Sequence, residues 1–181
     1  MSDWLNSCVS VDIETAGPYP GEYALLSIGA CLTKNTNQTF YVELQPDREA
    51  YEEGALAISG LSMQTLQRDG VPPAEAMRAF AIWLKDKVPE APICVAFNAP
   101  FDWMFLNDYF HRYLGSNPFG HSALDIKALA MGVLGKAWPE TGMKHVSAAL
   151  GETIELAHNA LRDAQDQADI FSAMMERMHA G

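Results

Sequence analysis

Apolar residues fall along this chain in two periods, and the switch between them marks out the elements. Val9 to Ile13, Leu25 to Leu32 and Thr39 to Leu44 are β-rich runs. Turn formers separate them, first Gly17, Pro18, Pro20 and Gly21, then Asn35 to Asn37. Connections this short predict an antiparallel meander. From Arg48 to Arg68 the pattern is irregular or briefly helical, broken at Ser59 and Gly60. Pro72 and Pro73 then suit the start of a helix whose apolar positions, Ala76, Phe80, Ile82, Trp83 and Leu84, run to about Val88.

Ile93 to Phe97 is a continuous apolar run, which predicts a central strand covered on both faces. A helix follows over Phe101 to Leu114 and stops at Gly115. Leu124 to Leu134 and Met143 to Leu150 read as shorter helical pieces, and Ala160 to Met178 as a long last helix. Three early strands followed by alternating helix and strand predict an α/β fold, a mixed central sheet flanked by helices. At 181 residues the expectation is one domain spanning 1–181.

Composition narrows the class. Hydrophobic residues make up 49% and charged residues 19%, values of a folded chain rather than a disordered one. The start, Met-Ser-Asp-Trp-Leu-Asn, has neither a basic region nor an apolar signal core, and no apolar run reaches membrane-spanning length. The expectation is a cytoplasmic protein with no membrane partner. Cys8, Cys31 and Cys94 each lie in an apolar segment without metal-knuckle spacing, so they read as buried hydrophobes in a reducing compartment. A net charge of −11 argues against a long electrostatic grip on duplex nucleic acid.

Candidate chemistry begins with Asp12 and Glu14. Two residues apart on a strand, they emerge on one face, and paired acids at the end of a core strand call for a positive partner. A hard divalent cation such as magnesium or manganese is the simplest one. Asn98-Ala-Pro-Phe-Asp102 stands where the buried strand hands over to a helix, the place where ligands bind in open α/β sheets. Taken alone, Asp102 is explained by the favourable field of a first helical turn. In the last helix, with Asp163 at zero and about 100° per residue, Ala160, Gln167, Phe171, Met174 and Met178 fall between roughly 20° and 80°. Asp163 therefore borders the apolar stripe, whereas Asp166 and Asp169 project away as surface charges. Simpler roles for Asp163 are a helix-start acid or a partner for Arg162. His158 precedes this helix, with Asn159 as its N-cap. A lone His there is commonly a surface or capping residue, but this one is five residues from Asp163, and its ordinary pKa suits proton abstraction near neutral pH. His111, His121, His145 and His179 have no such neighbours and read as structural or surface residues.

Asp12-Ile-Glu14, Asn98-Ala-Pro-Phe-Asp102 and His158-Asn-Ala-Leu-Arg-Asp163 together resemble, in order and spacing, the three motifs of the DEDDh 3′→5′ exonucleases. The resemblance spans roughly residues 8 to 175 and implies a ribonuclease H-like fold. It further implies that Asp12, Glu14, Asp102 and Asp163 hold two divalent cations, magnesium or manganese, and that His158 is the general base. The product would be a nucleoside 5′-monophosphate from the 3′ end of single-stranded DNA or RNA. Backbone at Thr15, Ala16 and Gly17 would meet the terminal 3′-OH, with Asn98 and Phe101 as further substrate contacts. Two bound divalent ions would cancel the site's −4 and leave −7 of the −11, so the nucleic-acid footprint should be short. Pairing among relatives allows a homodimer, and the acidic surface allows a protein partner that supplies nucleic-acid grip. Three departures bear on substrate rather than chemistry. Pro18 stands where relatives carry a bulky apolar wedge, so the expectation is a base contact that is either weaker or supplied by Tyr19 or Tyr23. Ser27 replaces a frequent acid, and Phe97 a frequent His. The competing readings are a phosphodiesterase for very short oligonucleotides or nucleotide conjugates, and a non-catalytic ribonuclease H-like binding module.

Overall fold

The computed structural model describes residues 3–88, 90–151 and 157–180. Five strands form one mixed sheet in the order β3-β2-β1-β4-β5. Strands β1 (Cys8–Thr15), β2 (Leu25–Leu32) and β3 (Asn35–Glu43) are the predicted antiparallel meander, while β4 (Ile93–Ala96) and β5 (Ala123–Asp125) add in parallel beyond β1. Helices α1 (Glu53–Ser59), α2 (Met63–Asp69) and α3 (Pro73–Lys87) make the crossover from β3 to β4. Helix α4 (Ala99–Leu114) joins β4 to β5, followed by α5 (Ile126–Leu134), α6 (Met143–Leu150) and α7 (Ala160–Ala180).

Two local expectations are corrected. Asn35 to Asn37 are not a turn: β3 starts at Asn35, and the reversal is made by Thr33 and Lys34. Thr33 is held there because both its amide and its hydroxyl donate to the Cys8 carbonyl, at 3.1 and 3.3 Å. Leu124 to Leu134 is not helical throughout. Its first residues belong to β5, and Asp125 ends the strand by accepting the Lys127 amide as the N-cap of α5. A three-residue edge strand is too short to show a period of two.

The side-chain alternation of β1 sorts the molecule into layers. Val9, Val11 and Ile13 pack into the core with Met77 and Phe80 of α3 and Phe105, Leu106 and Phe110 of α4. Cys8 joins Val95, Ile126, Ala130, Val146, Phe171 and Met174 on the opposite face, under α5, α6 and α7. Asp12 and Glu14 share the parity of Cys8, so they rise on the α7 side. Cys94 and Val95 belong to different core clusters, which confirms β4 as a strand covered on both faces. All three cysteines are free and buried. Among the described residues no helix is long and apolar enough to cross a membrane.

Candidate active site

The site lies at the C-terminal ends of the parallel neighbours β1 and β4, with α7 crossing above them. What allows α7 to come so close is Gly29, the β2 residue paired with Asp12. A Cβ on Gly29 would lie 2.1 Å from the carbonyl carbon of Ala160, so the first turn of α7 rests on bare strand backbone. One turn further along, the Cys31 thiol reaches the Ala164 carbonyl at 3.6 Å. Between these two contacts sits Asp163, only 5% exposed. Asn159 caps the helix as expected, its side-chain oxygen accepting the Arg162 amide at 3.1 Å.

Carboxylate oxygens of Asp12, Glu14 and Asp163 all lie within 4.8 Å of one another. Asp102, 4% exposed in the first turn of α4, is outside that group of three but lines the same cleft. The cleft encloses about 350 Å³, and Asn98, Phe101 and His158 also line it. Arg162 pairs with Asp166 at 3.4 Å, so Asp163 is not its ion-pair partner and Asp166 is not a fully solvated charge.

Crowding like charges out of water shows in their proton affinities. Burial, and then Asp102, Asp163 and Glu14, hold Asp12 well above the usual carboxylate range. Glu14 is pushed up to about 7 by burial and by Asp163. Burial raises Asp102 as well, with hydrogen bonding from the Ile13 backbone pulling the other way. Asp163 is raised by burial against the opposing pull of the Ala157 amide, which donates to its Oδ1 at 2.9 Å, and of His158.

Two residues of the site carried no signal in the sequence. Gln167, 2% exposed, donates to Oδ1 of Asp12 at 2.6 Å and accepts the Phe97 amide at 2.8 Å. It ties α7 to the end of β4 and fixes the orientation of one acid. The helical angle placed it in the apolar stripe, where a buried amide and a buried Met are indistinguishable by period. Asp125 is the second. Its Oδ1 accepts the amides of Asn98, Ala99 and Lys127 at 3.1, 3.4 and 3.0 Å, which stabilises the left-handed Asn98 (φ 66°) at the entry to α4.

His158 stands exposed at the cleft, itself left-handed (φ 51°), and the neighbouring Ala157 amide is anchored on Asp163. The segment Thr15 to Gly17 is more occupied than the sequence suggests. The Thr15 hydroxyl donates to the Gly17 carbonyl at 2.9 Å, and the Ala16 amide to the Ala24 carbonyl at 2.8 Å. A Cβ on Gly17 would meet the Tyr23 ring at 2.3 Å, so Tyr23 packs on this turn. The Ala16 amide is therefore spent inside the protein. His111, His121, His145 and His179 are all exposed and do not line the cleft.

The mixed sheet and its cluster of acids from β1, α4 and α7 place the chain among the DEDDh 3′→5′ exonucleases. The solved nuclease domain of 3′hExo, a DEDDh family member bound to rAMP, superposes with a TM-score of 0.80 over 97% of this chain and 94% of its own, at 16% identity. Within that class, the chain belongs to the 3′-5′ exoribonuclease Rv2179c-like domain family, whose model matches residues 7–175. It is 43% identical over 165 residues to the 3′-5′ DNA exonuclease Cap18 of Escherichia coli, covering 90% of this chain and 88% of that one. Ribonuclease T of Klebsiella pneumoniae is 30% identical over 188 residues, covering 93% and 84%. The ribonuclease H-like fold and the 3′→5′ exonuclease class expected from the three motifs both hold.

Proposed function

We propose that the protein removes nucleoside 5′-monophosphates from the 3′ end of single-stranded nucleic acid, with DNA preferred over RNA, and that residues 1–181 form one catalytic unit. The reading rests on one observation: oxygens of Asp12, Glu14 and Asp163 within 4.8 Å, with Asp102 and His158 lining the same cleft. The 43% identity to a DNA exonuclease, against 30% to ribonuclease T, favours DNA.

A cluster of acids whose carboxyls are all pushed toward protonation fits a divalent cation better than it fits water. An all-oxygen donor set suits magnesium or manganese. Asp12, Glu14 and Asp163 would hold one ion, and Asp12 with Asp102 a second. Bound there, divalent ions supply Lewis acidity, easing ionisation of the attacking water and stabilising charge on the leaving 3′ oxygen.

The chain's own groups do the rest. Gln167 holds one oxygen of Asp12, which leaves the carboxylate in a single orientation. His158, on the solvent side of the cleft, accepts the proton of the attacking water and passes it to bulk. Phe101, half-buried against Phe105 with ring centroids 5.7 Å apart, offers a face to the terminal base, and Asn98 borders the same space. The buried free cysteines fit a reducing, cytoplasmic setting.

The test is turnover of 5′-labelled single-stranded DNA and RNA side by side, with magnesium, with manganese and with EDTA. Stepwise shortening from the 3′ end, dependent on the metal and faster on DNA, is expected. Absence of monophosphate release with either metal would overturn the reading.

A further inference from the structure

Within this acidic chain one lysine-rich stretch follows β5 and leads into α6, whose first residue, Met143, lines the cleft. Of the charged side chains on residues 126–151, three are lysines, Lys127, Lys136 and Lys144, against the single acid Glu140. Elsewhere Arg48, Arg68, Lys87, Arg112 and Arg162 are all taken up in ion pairs. Among the described residues these three lysines make none. Among the described residues Arg78 and Lys85 make none either, but they stand on α3, across the sheet from α7, while Arg177 of α7 donates to the Ala149 carbonyl at 3.3 Å.

Two connections join this stretch to the candidate active site. The amides of Lys127 and of Asn98, a cleft residue, share Oδ1 of Asp125. Met143, which lines the cleft, is followed directly by Lys144 in the first turn of α6. Between the two lies Trp138, in the short 3-10 helix Trp138–Glu140. Its carbonyl accepts both the amide and the hydroxyl of Thr141, at 3.2 and 2.7 Å, and its ring is 51% exposed with the Lys127 ammonium 4.4 Å from the centroid. Two acids stand beside these lysines: Glu140, exposed, accepts the Ala137 amide at 3.2 Å, and Asp125 accepts the Lys127 amide.

A half-exposed indole with the Lys127 ammonium over its ring, and with Lys136 and Lys144 two and six residues away along the chain, suits a single strand: an indole stacks on a base of any identity and lysines meet phosphates. We propose that Trp138, with Lys127, Lys136 and Lys144, forms a platform for the part of the substrate strand upstream of the terminal nucleotide. This deepens the exonuclease reading and rests on it. Charge complementarity and continuity with the cleft select a single-stranded polynucleotide as the occupant. Because Trp138 is not among the residues that line the cleft, the platform would separate long strands from very short ones.

The experiment compares wild type, Trp138→Ala, Trp138→Phe and the Lys127→Ala/Lys136→Ala/Lys144→Ala triple variant. Steady-state turnover is measured on a thymidine dinucleotide and a twenty-residue thymidine strand. Anisotropy follows binding of a fluorescent, phosphorothioate-linked twenty-mer that resists cleavage. Trp138→Ala should raise KM and Kd for the long strands about 10-fold, the scale of one lost base stack, while dinucleotide turnover stays at the wild-type value and Trp138→Phe stays close to wild type. The triple variant should flatten the salt dependence, lowering the slope of log Kd against log salt by about 2. Equal effects on both lengths, or none on the long strand, would overturn the platform. Loss of turnover by wild type itself, with the binding difference intact, would instead count against the exonuclease reading and leave the platform standing.

Discussion

One oxygen of Asp12 accepts the Gln167 amide, and the same carboxylate faces Glu14, Asp102 and Asp163. Substituting Asp12→Asn keeps an acceptor for Gln167 but removes a charge from a repelling group. Turnover should fall by about 10³-fold or more, as when a member of a concerted catalytic unit is lost, yet the metal-free protein should melt at the same temperature or higher. A lower melting temperature in EDTA would mean that Asp12 serves the scaffold. His158 makes the complementary case. Exposed and outside the core, it should be replaceable by Ala with metal-dependent stabilisation retained and kcat reduced by about 10²- to 10⁴-fold; pre-steady-state rates with saturating manganese check this. At this scale Asp102 came in only with the motif resemblance, whereas Asp12, Glu14 and Asp163 were legible in advance because strand and helix periods project them onto definite faces. Gln167 was not, because its partners, Asp12 and the Phe97 amide, come from distant segments, 155 and 70 residues away along the chain.

Elements bring their own constraint through Gly29. Its missing side chain lets α7 settle against β2 opposite Asp12, which sets the height of Asp163 over the sheet. Gly29→Ala would drive a Cβ into the Ala160 backbone, and backbone cannot move aside as a flexible side chain can. We expect a loss of about 1 to 3 kcal/mol, the range for overpacking, with turnover reduced further than stability alone would explain because Asp163 is displaced. Denaturant melts alongside kcat report the two separately. A second inter-element tie is Tyr109 of α4, whose hydroxyl accepts the Leu25 amide at 2.8 Å and donates to Asp47 at 2.5 Å, fastening α4 to the entry of β2. Periodicity revealed the long elements, whose apolar faces repeat several times. It failed for β5 and for the start of β3, where three residues settle the outcome through edge pairing and through the Thr33 contacts with Cys8.

Across the whole molecule, the acid cluster links stability to pH. Folding raises Glu14 from an ordinary 4.5 to about 7, so the native state holds that proton more tightly than the unfolded chain does. Raising the pH from about 4.5 to about 7 therefore favours the unfolded chain, and Asp12, Asp102 and Asp163 act in the same direction. In EDTA the melting temperature should decline across that window. Magnesium or manganese, which bind the ionised carboxylates, should offset the decline, so the gain in melting temperature on adding metal grows with pH. Calorimetry at fixed ionic strength checks it, and a metal effect independent of pH would contradict it.

Without coordinates, strand and helix periods determined the mixed sheet, and the three spaced motifs, through the family they resemble, the exonuclease class and the five residues nominated for chemistry. Only the tertiary structure decided that three of those acids converge within 4.8 Å while Asp102 stands outside that group, that Gln167 and Asp125 hold groups of the site, and that the Lys127 ammonium lies over the Trp138 ring. The physical reason is that such contacts join segments far apart in sequence. They depend on how closely packed backbones approach, and no residue pattern encodes that distance.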